Sequence, residues 1–293
     1  MILKRLQDKN LISPPSFLVS NTHYLTLMGS EAYSVSKDSS DMDLYGWCIP
    51  NKDMIFPHLR GEIPGFGRQI NRFEVWQQHH VEDKEAKKMY DLSIYSIVKY
   101  FHLVMENNPN LIDSLFVPHW CILHITRIGT LVRDNRKLFL HRGAWYKFKG
   151  YFYSQMHKMD IKNPEGKRVE EVQKYGYDLK FAYHVVRLLG EIEQILLEGD
   201  LDLERNREQL KSIRRGEWTK EQIKDYFSNK EKELESTYLK STLPMHPDED
   251  KIKALLLNCL EEHFGSLGSV ISKPDSLQSL LNDLQFLVEK YKG

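Results

Sequence analysis

The spacing of apolar residues changes along the chain, and each change marks a structural element. Tyr24-Leu25-Thr26-Leu27-Met28 is an apolar run of strand length, and Asp41-Met42-Asp43-Leu44-Tyr45-Gly46-Trp47-Cys48-Ile49 reads as a second strand. Ahead of them Pro14-Pro15 closes a short N-terminal helix, because the residue before a proline is pushed out of the helical region. Prolines and glycines crowd the stretch from Pro50 to Gly67, which is loop chemistry. The segment from Arg72 to Val81 then alternates as a strand, and the charge run from Glu82 to Lys88 reads as an exposed turn. Met89 to Tyr95 passes into a helix with apolar residues at Ile94, Val98, Phe101 and Met105, so Asp91 falls at a strand end or a helix entry. Asn107-Asn108-Pro109-Asn110 starts another helix. From about Ile122 the pattern predicts mostly helix, broken at Gly143, at Asn163-Pro164-Glu165-Gly166, at Gly199-Asp200 and around Pro244 to Pro247. These elements predict an α/β (α+β) fold: a small mixed sheet followed by a mostly helical C-terminal region. The expected boundary near residue 120 divides the chain into 1–120 and 121–293.

Composition narrows the class. With 293 residues, 41% hydrophobic and 28% charged, the chain falls among soluble globular proteins. No apolar run approaches the ~18 residues of a membrane span, and Met1-Ile2-Leu3-Lys4-Arg5 is too charged for a secretory leader. Cys48, Cys121 and Cys259 are widely spaced with no CxxC pair, which indicates a reducing cytoplasm and neither a disulfide framework nor a cysteine metal site. The formal net charge is zero, so nucleic acid would be met by local basic clusters and not by a global field.

The chemistry is concentrated in one stretch. Gly29-Ser30 stands where the first strand hands over to a helix, a junction whose backbone amides favour phosphate oxygens. Asp41 and Asp43 are two apart on the second strand and so project from one face. Two carboxylates beside a phosphate cradle suit the divalent metals of phosphoryl transfer, whereas either half alone would more often be an ordinary turn. Asp91 is a candidate third metal carboxylate if its strand pairs with that of Asp41 and Asp43, with helix N-capping as the plain alternative. Adjacent residues on a strand face opposite ways, so His79 and His80 read as surface residues that cannot share an ion. The segment from Gly61 to Gly67 lacks the Gly-Lys-Ser/Thr of a Walker loop, which argues against a P-loop ATPase.

Gly29-Ser30, ten intervening residues and Asp41-x-Asp43 resemble the signature of the DNA-polymerase-β superfamily of nucleotidyltransferases. That superfamily includes poly(A) and CCA-adding enzymes and antibiotic adenylyltransferases. Further motifs in order, Asn107-Asn108-Pro109-Asn110, the helix Tyr177-Asp178-x-Lys180-x-x-x-His184-x-x-Arg187-Leu188 and Ile213-Arg214-Arg215-Gly216-Glu217-Trp218, resemble its RNA-repair-pathway branch found in bacteria and phages. The resemblance runs from about Ser20 to Ser228. Related proteins often carry a glycine after Ala-Tyr, where this chain has Ser34.

The resemblance implies a nucleotidyltransferase that moves a nucleoside monophosphate from a nucleoside triphosphate to an acceptor hydroxyl and releases pyrophosphate. It implies two Mg2+ ions, with Mn2+ as a substitute, on Asp41, Asp43 and Asp91, and a triphosphate held by Gly29 and Ser30. The implied acceptor is an RNA 3′ end of tRNA-like type. Nucleotidylylation of a protein or small molecule, or an inactive nucleotide- or RNA-binding protein, stay open as alternatives. Lys180, His184 and Arg187 lie at i, i+4 and i+7, one face of a helix suited either to a triphosphate or to plain solvation. The aromatic and basic stretch from Trp145 to Tyr153 is equally compatible with base stacking and with an amphipathic helix.

Overall fold

The computed structural model describes residues 1–36, 41–56, 71–161 and 168–266. Five strands form one mixed sheet: β1 (Thr22–Leu27), β2 (Met42–Cys48), β3 (Val75–Asp83), β4 (Lys88–Ser96) and β5 (Ile122–Ile125), in the order β3-β4-β2-β1-β5. Only β2 and β4 pair in parallel; the other three pairings are antiparallel. The interior strand β1 is buried at every position, its polar Thr22, His23 and Thr26 included. In β2 the buried residues lie toward its end, at Trp47 and Cys48, while Asp43 near its start stays partly open.

The helices are α1 (Ile2–Asp8), α2 (Gly29–Ala32), α3 (Lys52–Ile55), α4 (Ile97–Met105), α5 (Pro109–Phe116), α6 (Arg127–Asp134), α7 (Ala144–Ile161), α8 (Arg168–Tyr175), α9 (Leu179–Glu198), α10 (Arg207–Arg214), α11 (Lys220–Lys240) and α12 (Glu249–Phe264). The helix α9 is the axis of the helical region and packs against α7, α8, α10 and α11. Asp178 caps its start by accepting from the Lys180 amide at 2.9 Å, and Gly199, at φ +59°, ends it. Burial around most of its circumference identifies it as a core helix and not a surface one. At the other end of the chain α12 packs on α4 and α6 and brings His263 to His23 of β1, with 3.0 Å between ring nitrogens. Among the described residues no helix is long and apolar enough to cross a membrane.

Several local expectations change. The sheet runs past residue 120, because Ile122–Ile125 forms the edge strand β5 beside β1 where helix was expected. The segment Ile122-Leu123-His124-Ile125, with two β-branched residues, satisfies the open edge of β1 better than a helix start would. The charge run is not wholly exposed: β3 extends to Asp83, which is 2% exposed and ion-paired to Lys9 at 3.0 Å. Asp91 lies in the middle of β4, and the helix after it is capped instead by Ser96, whose hydroxyl accepts from the Lys99 amide at 3.1 Å. The loop reading of Pro50 to Gly67 holds a short helix, α3, at its start, and its remainder lies outside the described residues. The Asn163–Gly166 turn also lies outside them.

Candidate functional site

The site is built where β1, β2 and β4 begin or end together. The chain leaves β1 at Leu27, turns at Gly29-Ser30 into the single turn of α2, and returns along β2. The Met28 amide donates to the Asp43 carbonyl at 2.7 Å, which fixes the turn against the second strand. Gly29 has φ +61°, and a Cβ placed on it would fall 1.9 Å from Asp43 Oδ2. Only glycine fits there, on backbone conformation and on space. The carboxylate of Asp43 therefore lies directly on the backbone of the Gly-Ser turn.

The parallel register places Asp43 opposite Asp91. Residues paired in this way on adjacent strands share a face about 4.8 Å apart. Asp41, one residue before β2, is exposed, and by strand alternation lies on the same side. The electrostatics show the group to be close. Burial first, and then the Asp91 carboxylate, push the Asp43 carboxyl up to about 6; Asp41 adds to the rise, while Lys180 and His79 oppose it. Like charges so arranged are stabilised by a cation, and an all-oxygen donor set suits a hard divalent ion. The acids gather charge without yet converging: among the described residues no group of three His, Cys, Asp or Glu side chains stands at chelating geometry. The three carboxylates and the uncluttered Gly29 backbone fit such an ion.

The helix face of Lys180, His184 and Arg187 descends from solvent into the core. Lys180 is exposed on the first turn of α9 and acts on Asp43 through its charge. His184, one turn on, is half-buried; burial, then the charges of Arg187 and Lys180, hold its imidazole well below the usual range, so it is neutral. Arg187 does not join them at the surface. Its side chain is 6% exposed and ion-paired to Asp113 at 2.5 Å and Glu191 at 3.1 Å. Its guanidinium also donates to the Tyr33 hydroxyl and lies 4.6 Å from that ring's centre. The cationic face expected from spacing thus narrows to Lys180, because the third position faces two buried acids. Arg187 holds the residues after Gly29-Ser30 through Tyr33, against α5 and α9.

The aromatic stretch of α7 divides in the same way. Trp145, Phe148 and Phe152 are core residues, while the exposed Tyr153 donates to Glu231 at 2.7 Å and Lys147 and Lys149 are paired with Glu106 and Glu231. This is the packing of an amphipathic helix with satisfied charges. Ser34 sits at φ +54°, the left-handed region where glycine is at ease, and its hydroxyl donates to Glu204. A glycine would adopt this conformation without strain.

Two residues escaped the pattern. His79 and His80 were expected on opposite faces, yet both rings approach Asp91, with Nδ1 to Oδ1 distances of 3.6 and 3.9 Å. A register shift between Gln78 and Val81 breaks the alternation there. Nothing in the residue types signals it.

Comparison with known proteins bears on the family. A model of RlaP, the RNA repair pathway DNA polymerase beta family, matches residues 3–260. No protein of curated function matches the chain. A solved structure described as a nucleotidyltransferase-like protein from Exiguobacterium sibiricum aligns with 98% of this chain and 89% of its own, at 9% identity and a TM-score of 0.28, too distant to bear on function. The chain belongs to the RNA repair pathway DNA polymerase beta family and is a nucleotidyltransferase of the polymerase β superfamily.

Proposed function

We propose that the protein transfers a nucleoside monophosphate from a nucleoside triphosphate, ATP among them, to the 3′ hydroxyl of an RNA, in a Mg2+-dependent reaction. The observation that carries this reading is the register of Asp43 with Asp91, with the Asp43 carboxylate seated on the Gly29 backbone. Asp41, Asp43 and Asp91 would hold the divalent ions, and Mn2+ would replace Mg2+ on the same oxygens. Such ions, when bound, activate the attacking hydroxyl and neutralise the leaving pyrophosphate. The protein's share is orientation. The backbone of the Gly29-Ser30 turn receives phosphate oxygens, Lys180 supplies positive charge beside Asp43, and neutral His184 offers a hydrogen bond at the same wall. Arg187 acts at one remove, by fixing Tyr33. The sheet-bearing part of the chain, which reaches β5, would form the catalytic unit and the helices after it the wall of the cleft, in a cytoplasmic protein.

The acceptor is tested by incubating the purified protein with each labelled nucleoside triphosphate and Mg2+, with and without RNA bearing a free 3′ hydroxyl. Label is expected in RNA, and absent from Asp43→Asn and Asp91→Asn proteins. Label in protein or in a small molecule would replace the RNA reading with nucleotidylylation. Absence of transfer, with retained nucleotide binding, would mark a sensor.

A further inference from the structure

Strand β3 departs from regular alternation at one place, and that place stands against the acid cluster. Gln78 pairs with Leu92 and Val81 with Tyr90, so His79 and His80 together oppose the single residue Asp91. His80 has φ +55°, a backbone region that residues other than glycine seldom enter. From there its backbone N–H donates to Asp91 Oδ1 at 2.7 Å. The two imidazoles are 52% and 83% exposed and their nitrogens stand 3.6 and 3.9 Å from that oxygen, beyond hydrogen-bond length. The amide, not a ring, is what binds the carboxylate.

A regular antiparallel strand cannot make this contact. Its amides lie in the sheet plane and meet carbonyls of the next strand, whereas a side chain stands off the face. A bulge turns one amide out of the ladder. Asp91 Oδ2 has no hydrogen-bond partner among the described residues, so one oxygen is fixed and the other is left for a ligand.

We propose that the β3 bulge is a positioning device for Asp91: the His80 amide fixes one carboxylate oxygen and presents the other to the divalent ion shared with Asp43. His80 then serves through its backbone conformation and not through its imidazole. This rests on the reading of Asp91 as a metal carboxylate. Partners of this kind, which orient a ligating group, commonly alter metal affinity by about 10–100-fold.

The test is Mn2+ binding by the purified protein, followed by electron paramagnetic resonance without nucleotide, alongside thermal melting and transfer rate. His80→Gly, which keeps the amide and favours the left-handed region, is expected to bind Mn2+ within about twofold of the unaltered protein. His80→Pro, which has no N–H and cannot reach positive φ, is expected to weaken binding about tenfold or more with a cooperative melt retained. If the proline variant fails to fold, His80→Val, whose branched side chain resists positive φ, is expected to weaken Mn2+ binding while the glycine variant does not. Equal binding by the proline or valine variant and the unaltered protein would overturn the proposal, as would loss in the glycine variant equal to theirs. Asp91→Asn separates the two levels. If it binds Mn2+ normally, the metal role of Asp91 fails; if it weakens binding and the His80 variants do not, only the positioning role fails.

Discussion

Replacing Arg187 with methionine removes a buried cation from between two buried carboxylates. The side chains of Asp113 and Glu191 are 0% and 4% exposed, and Arg187 is 6% exposed. Burial raises both carboxyls in the folded protein, Glu191 the further of the two. The arrangement that balances charge is an ionised Asp113 against Arg187, with Glu191 protonated. Without the guanidinium, Asp113 must also take up a proton to stay buried. Unfolded, that carboxyl titrates near pH 4, so the proton costs about 1.4 kcal/mol for each pH unit above it. The loss of stability is therefore about 2 kcal/mol near pH 5.5 and about 5 kcal/mol near pH 7.5, the upper figure matching the ~3–5 kcal/mol of a broken buried pair. The sign follows from proton counts. The folded variant holds a proton that the unfolded chain has released, so its stability falls as pH rises from about 4 until the folded carboxyl itself ionises. Urea denaturation followed by tryptophan fluorescence at the two pH values measures the difference. Adding Asp113→Asn and Glu191→Gln to the variant is expected to recover most of the loss and to flatten its pH dependence. A loss below about 1 kcal/mol, or one equal at both pH values, would refute the buried, charge-balanced cluster.

Three further outcomes follow from the same geometry. Asp43→Asn is expected to abolish transfer and yet stabilise the metal-free protein by about 3 kcal/mol above pH 7, because a carboxyl held near 6 is ionised there at a cost; an unchanged or lowered melting temperature in chelator contradicts this. Gly29→Ala, whose new methyl would collide with Asp43 Oδ2, is expected to reduce transfer at least ~100-fold and weaken Mn2+ binding, with normal kinetics as the contrary result. His23 is held near 4 by burial and by His263, so its folded form stays neutral while the unfolded imidazole protonates; stability is full above about pH 6.5 and falls by about 3 kcal/mol as pH drops toward 4. Thermal melts across that range check it, and a His23→Gln protein should show a shallower decline if the reasoning is sound.

Much of the candidate site's geometry could be read from the residues because its parts are local. The Gly-Ser turn, the two aspartates on one strand face and the third on the next strand need only strand periodicity and a register, and the register of Asp43 with Asp91 supplies it. What escaped was set by distant partners. Arg187 looks like Lys180 in a helical projection, and Asp113 from a different helix, together with Glu191 and Tyr33, turns it inward. The short β5 is helical or extended by its own composition; the open edge of β1 decides. The bulge at His79-His80 depends on how β3 and β4 align on both sides of it, which no spacing within β3 records.

The same bulge bears on the exposed edge of the sheet. Strand β3 is one of the two outer strands of the sheet among the described residues, nine residues long and largely exposed. A straight strand of that length would offer a row of unpaired amides and carbonyls to another chain. The kink at His80 interrupts the row and twists it, while the lysine and acid residues of the adjoining turn add charge at its end. Deleting one of the two histidines would straighten this edge. The resulting protein should self-associate in a concentration-dependent way, so that a feature facing the acid cluster on one side guards against fibre-like stacking on the other.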